Sequence, residues 1–189
     1  MKTSSVRWRR WAPLLLGCVA LTLPSCGGGG GDSPTDPPTA VVFFSADGAA
    51  TARSFSLRRG NGTSGTHLQL ELIATEVTNV ASLDFVLTLP ANVVRFESAR
   101  QGSFLAQNGV APILFALGLP EPFNGVLISD NRPNGTAGVS GSGVVLTLEF
   151  EALANGSGHL DIEEPEARDP QDRPIGGLGW IGGTVTVQR

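Results

Sequence analysis

Ser82-Leu83-Asp84-Phe85-Val86-Leu87-Thr88-Leu89-Pro90-Ala91-Asn92-Val93-Val94-Arg95-Phe96 is the stretch whose reading decides the fold. In an extended chain successive side chains point to opposite faces. Leu83, Phe85, Leu87 and Leu89 then share one face, and Asp84, Val86 and Thr88 share the other. An apolar face backed by a mixed one is the mark of a half-buried strand. Pro90 has no amide hydrogen to give a ladder and ends the run. Beyond it Val94 and Phe96 alternate with Arg95 and Glu97, which predicts a second strand.

The same period of two recurs on both sides. Val41-Val42-Phe43-Phe44 is a short first strand. Leu68, Leu70 and Leu72 alternate with Gln69 and Glu71. Val126 and Ile128 follow, then Leu146, Leu148 and Phe150 between Thr147, Glu149 and Glu151. Leu160 and Ile162 flank Asp161, and Val185 and Val187 flank Thr186. Between these runs stand Asp47-Gly48, Asn61-Gly62, Asn108-Gly109, Asn124-Gly125, Asn134-Gly135 and Asn155-Gly156, dipeptides that tolerate positive φ and mark turns. No stretch keeps a helical period over three turns. The pattern predicts an all-β, two-sheet antiparallel sandwich or barrel over residues 41–189. Three of the turns also spell an Asn-x-Ser/Thr glycosylation acceptor, and the turn reading accounts for them without it.

Residues 1–25 read as a targeting segment. Residues 1–10 are basic, and Trp11 to Leu23 is an apolar run of 13 residues, the length of a signal-peptide core and short of the roughly 20 needed to span a bilayer. Leu23-Pro24-Ser25-Cys26 then resembles the lipobox of bacterial lipoproteins, which implies a diacylglyceryl thioether on Cys26 and cleavage before it. Leu15-Leu16-Gly17-Cys18 is a rival box that leaves a shorter apolar core, and Arg9-Arg10 hints at twin-arginine export. Residues 26–40 follow as a lipidated Cys and a tether, flexible in its Gly half and stiff in its Pro half, spanning roughly 20–40 Å. This predicts an exported lipoprotein of the bacterial envelope, at the outer membrane or cell surface.

Charge separates with the segments. Of 13 basic residues, Lys2, Arg7, Arg9 and Arg10 lie in the leader; the rest, all Arg, face all 17 acids, so the remainder is strongly acidic. An acidic domain with no basic run argues against nucleic acid as a partner. With Cys18 in the leader and Cys26 as the anchor, residues 41–189 hold no cysteine, which excludes a disulfide framework and a thiolate metal site there.

Residues 82–96 resemble the central strand pair of cohesin-like domains, in which an alternating strand runs through a Pro-containing turn into a second strand. Gly102-Ser103-Phe104-Leu105 resembles the step that follows. Gly141-Ser142-Gly143-Val144-Val145-Leu146-Thr147-Leu148-Glu149-Phe150 resembles the family's glycine-then-strand segment, and Gly182-Gly183-Thr184-Val185-Thr186-Val187 its closing strand. The resemblance covers about residues 41–188. It implies a jelly-roll-type, cohesin-like sandwich of about nine strands, a superfold shared with carbohydrate-binding modules, and a protein-binding role. Leu89-Pro90 stands where the family often has Tyr-Asp before the proline, and the chain has no D-x-[DN]-x-[DN]-G calcium loop of the dockerin kind.

Catalytic patterns are not found. There is no G-x-S-x-G elbow, no H-E-x-x-H and no phosphate loop, and His67 and His159 lack paired ligand spacing and read as surface residues. The expectation is a non-enzymatic binding module with no cofactor. Glu149 and Glu151 share a solvated face. Asp161 to Pro174 reads as an acidic loop that Arg residues neutralise, with calcium among Asp161–Asp172 the rival reading. Trp180, among glycines, is either a core cap or a sugar platform. Phe85, Phe96 and Phe150 share the core phase, leaving Trp180, Phe104, Phe115 and Phe123 for exposure. Flat polysaccharide binders need rows of exposed aromatics, so a protein partner is the first expectation and a polysaccharide the second. The face expected to bind carries Asp84, Val86 and Thr88 beside Thr147, Glu149 and Glu151, with Val86 at its centre.

Overall fold

The computed structural model describes residues 40–189. Residues 1–39, which include the leader, Cys18, Cys26 and all of the tether but Ala40, lie outside them.

Twelve strands and one short 3₁₀ turn, Gln107–Gly109, make up the described chain. In order they are β1 Val41–Ala46, β2 Ser54–Arg59, β3 His67–Val80, β4 Ser82–Thr88, β5 Val94–Gln101 and β6 Ile113–Leu119. Then come β7 Gly125–Asn131, β8 Val139–Ala152, β9 Gly156–Leu160, β10 Ile162–Arg168, β11 Gly179–Ile181 and β12 Gly183–Gln188. They form three sheets: β10-β4-β7-β6, β11-β2-β3-β8-β5 and β1-β12-β9. Every pairing is antiparallel except β11 with β2. The all-β sandwich is therefore as expected, but it has twelve strands rather than about nine. It also has a third sheet, because no ladder joins β1 to its neighbour β2 or β9 to its neighbour β4.

The alternation in β4 does what its residues dictate. Leu83, Phe85 and Leu87 are buried, while Ser82, Asp84, Val86 and Thr88 are only half-buried. The apolar faces of β3 (Leu68, Leu70, Leu72) and β8 (Leu146, Leu148, Phe150) meet them in one core, joined by Val42, Leu160, Val185 and Val187 of the three-stranded sheet. The strands on either side of Pro90 are not a hairpin. β4 pairs with β10 and β7, whereas β5 pairs with β8. Pro90 accepts from the amides of Val93 and Val94 and turns the chain from one sheet to the other.

The turn dipeptides divide. Asn108 and Asn124 adopt positive φ, as do Gly109 and Gly135. The expected acidic loop is in large part strand β10, which holds Glu163, Glu164 and Glu166 at a sheet edge. It tolerates Pro165 because the ladder to β4 breaks in a bulge between Glu163 and Glu166.

Candidate functional site

The outer face of β10-β4-β7-β6 is built by register. Cross-strand partners point to the same side of an antiparallel sheet. One row runs Glu166, Asp84, Ser129, Phe115; the next runs Glu163, Val86, Leu127, Leu117. Arg168, Ser82, Asn131 and Ile113 flank them. The face is acidic on β10 and β4 and becomes apolar across β7 to β6. On β6, Ile113 is 66% exposed, Phe115 52% and Leu117 48%. A contiguous apolar patch rimmed by charge is the usual form of an interaction surface.

Asp84, Val86 and Thr88 lie on this face, with Val86 between Glu163 and Leu127. Thr147, Glu149 and Glu151 do not lie beside them. They belong to β8 in the five-stranded sheet, so the expected composite face does not exist. Alternation fixes which side of its own sheet a residue takes; it does not say which sheet the strand joins. The residues missed by that reading are Ile113, Phe115, Leu117 and Leu127. β6 is a continuous apolar run, so period two is invisible in it.

The outer face of the five-stranded sheet is a charged lattice. Arg58 pairs with Glu71 at 2.5 Å, and Arg95 pairs with Glu151. Glu149 is not solvated as expected: it is 4% exposed. Gln69 Nε2 donates to Glu149 Oε1 at 3.0 Å, and His67 Nε2 stands 2.7 Å from Oε2. That oxygen is satisfied when the His67 proton is on Nε2. The β2–β3 turn closes over the group, with the Gly62 amide donating to Gln69 Oε1.

Both histidines are half-exposed, as expected, and each stands between two carboxylates. His159 Nε2 is 2.9 Å from Asp47 Oδ1 and its Nδ1 is 2.8 Å from Asp161 Oδ1. The hydrogen bond to Asp47, then the one to Asp161, raises the His159 pKa above its ordinary value. Around the β10 turn the acids are matched by arginine: Arg168 meets Glu166 and Asp172, and Arg173 holds Asp169 below the usual carboxylate range. Among the described residues no group of three His, Cys, Asp or Glu side chains is placed to hold a metal ion.

Trp180 is half-buried on β11. Its ring stacks on Phe55 at 4.6 Å between centroids and tilts against Phe85 at 6.1 Å. One face of the indole is thus taken by the core. Phe104 is fully buried, whereas Phe123 is 72% exposed and Phe43 50%. Phe43 is on β1, Phe115 on β6 and Phe123 in the turn after it, so these aromatics do not make one row along a strand.

Among the described ionisable residues, Asp130 is the most fully enclosed. Asp130, on the inner side of β7, is 0% exposed. Gln101 Nε2 donates to its Oδ1 at 2.6 Å, and its Oδ2 has no hydrogen-bond partner among the described residues. Arg132, two residues on, turns its guanidinium to the carbonyls of Leu105 and Gln107 instead. Burial pushes the Asp130 carboxyl up to about 7 against the opposing effect of the Gln101 hydrogen bond.

No family model matches the chain, and no curated protein sequence matches it. Solved structures do. The fold is an antiparallel β-sandwich, and in it the chain is similar to cohesins. A non-cellulosomal cohesin from the archaeon Archaeoglobus fulgidus superposes with a TM-score of 0.52 at 20% identity, over 76% of this chain and 88% of that one. A type II cohesin domain from the cellulosome of Acetivibrio cellulolyticus gives 0.54 at 13% identity, over 79% and 95%. The sixth cohesin of scaffoldin B from the same organism, solved in complex with a dockerin, gives 0.52 at 17% identity, over 69% and 97%. The chain has a cohesin-like fold.

Proposed function

We propose that this chain is a non-catalytic protein-docking module, and that the outer face of β10-β4-β7-β6 receives the partner. The observation that carries the reading is the apolar patch of Ile113, Phe115, Leu117, Leu127 and Val86, bounded by Glu163, Glu166 and Asp84. Its burial supplies affinity, and the acidic border favours a partner with a basic flank. The cohesin-like fold supports the reading. A flat polysaccharide fits less well, since Trp180 stacks inward and the exposed aromatics stand on separate elements.

The test is capture from the envelope fraction of the source organism, comparing the parent chain with Val86→Asp and Leu127→Asp. Each replacement puts a charge at the centre of the patch. A central apolar contact contributes about 2 kcal/mol, so each variant is expected to lose roughly thirtyfold in affinity for the captured protein. Arg58→Asp, on the opposite face, leaves capture unchanged. Loss with Arg58→Asp and none with Val86→Asp would place the docking face on the wrong sheet.

The same reading holds the module at the bacterial envelope through a lipid on Cys26. The support is the Leu23-Pro24-Ser25-Cys26 box after an apolar run and before a Gly/Pro tether. Two or more acyl chains hold a protein stably where one does so only marginally. Cys26→Ser is expected to leave an unprocessed precursor that takes up no labelled fatty acid. Labelling that survives Cys26→Ser and disappears with Cys18→Ser would move the anchor to the rival box.

A further inference from the structure

Every sheet edge presents unpaired backbone groups, and most edges here carry a device against further pairing. β10 has Pro165, a bulge and four charged residues; β5 has a bulge between Phe96 and Ser98 beside Arg95, Glu97 and Arg100. β11 has three residues, and β9 is short and holds two glycines. β1 is uncharged, but it seats Val42 in the core and exposes only Val41 and Phe43 among its large side chains. β6 packs Leu114 and Ala116 partly against the core and holds one glycine, but it has no charge, no Pro, no bulge and a full seven residues. Its sequence, Ile113-Leu114-Phe115-Ala116-Leu117-Gly118-Leu119, contains no buried residue.

We propose that β6 is a self-association edge: two copies of this chain pair their β6 strands antiparallel about Ala116, joining two four-stranded sheets into one. The strand is complementary to itself in that register. Phe115 stands opposite the second copy's Leu117 and Ile113 opposite its Leu119, so the outer side is apolar throughout. On the inner side Leu114 meets Gly118, a large side chain against a missing one. Gly118 opens on an apolar hollow of about 210 Å³ lined by Phe96, Leu119 and Leu153, and a Cβ there would find only Phe96 Cδ1, at 3.7 Å. The second copy's Leu114 has that space beside it. Charge does not oppose the pairing. The acids of β10 lie three strand spacings from β6, about 14 Å, and the two sets of acids lie about 33 Å apart in the joined sheet. Both distances exceed the screening length of about 8 Å at physiological salt. Pairing through the backbone edge leaves the outer face open and doubles the apolar band available for docking.

The test uses the full chain with Cys18 and Cys26 replaced by Ser, so that any thiol is the one introduced. Light scattering is expected to show a mass that doubles with concentration. Gly118→Lys, which puts a charge on the inner side of the edge with room for its Cβ, restores the single-copy mass with an unchanged circular dichroism spectrum. Ala116→Cys sits on the two-fold axis, where the Cα atoms come within disulfide range, and is expected to crosslink under mild oxidation. Phe43→Cys on β1 is not. A chain that stays single-copy at its solubility limit overturns the proposal. So does a dimer that ignores Gly118→Lys or crosslinks at Phe43→Cys instead. Protection of β6 amides from exchange only when a partner protein is added would assign the edge to that partner's strand and overturn self-pairing. Because Gly118 is off the outer face, capture through Val86 and Leu127 is read separately from this result.

Discussion

Between about pH 4 and pH 8, Asp130→Asn is expected to gain on the order of 3–4 kcal/mol of stability relative to the parent chain. The cause is the enclosure of Asp130, which holds the carboxyl at about 7 when folded against 3.8 in its ordinary state. Between pH 3.8 and about 7 the unfolded chain has released the proton and the folded chain keeps it. The folded state therefore binds more protons, and stability falls as pH rises from 3.8 to about 7. Below the window both states are protonated, and above it both are ionised, so the effect is flat on either side. Asparagine does not titrate, so the variant escapes the loss. Any cost of leaving an amide nitrogen where Oδ2 now has no partner is the same at every pH and shifts the whole comparison by a constant. Urea unfolding of both chains across the range reads the difference directly. A difference that does not change with pH would mean that Asp130 titrates as an exposed carboxyl does.

Asp130 was not legible in the sequence, and the reason is general to this fold. Val126, Ile128 and Asp130 share the inner phase of β7, but only the first two look like core residues. Phase alone cannot say that the third is enclosed. Glu149 shows the same limit in another form. It projects away from Leu148 and Phe150, as alternation predicts; its burial comes with Gln69, His67 and Arg100 gathered around it from β3 and β5, which no local pattern announces. The strands read most plainly, β3, β4, β8 and β12, each have an apolar face and a more polar one. Two strands that alternation did not delimit break that rule for identifiable reasons. β10 is an edge strand rich in acids, and β6 is apolar on both faces. An apolar outer face has no polar residues to mark its period, so the strand with most to say about docking was the one that alternation could not find. Val86 was the visible trace of that face, an apolar residue in a polar row, and the structure sets it next to Leu127.

Phe150→Ala is expected to cost about 3–5 kcal/mol, whereas Glu151→Ala, one residue on, should cost under about 1 kcal/mol. The two project from opposite sides of β8. Phe150 is 0% exposed, lies opposite Leu68 of β3 and Phe96 of β5, and meets the Phe96 ring edge-on at 5.9 Å. Removing the ring loses its transfer free energy and leaves a cavity between two ladders that cannot both close in, since each is held by continuous backbone pairing. The Glu151 side chain is 40% exposed and pairs with Arg95, itself 63% exposed, so water can replace the partner. β8 is an interior strand of its sheet, bonded to β3 on one side and β5 on the other, so backbone pairing on both sides limits how far the cavity can close. Denaturant unfolding should show a lower midpoint with an unchanged slope for Phe150→Ala. A cost for Phe150→Ala no larger than that for Glu151→Ala would mean that β8 is turned over, which would move Thr147, Glu149 and Glu151 into the core.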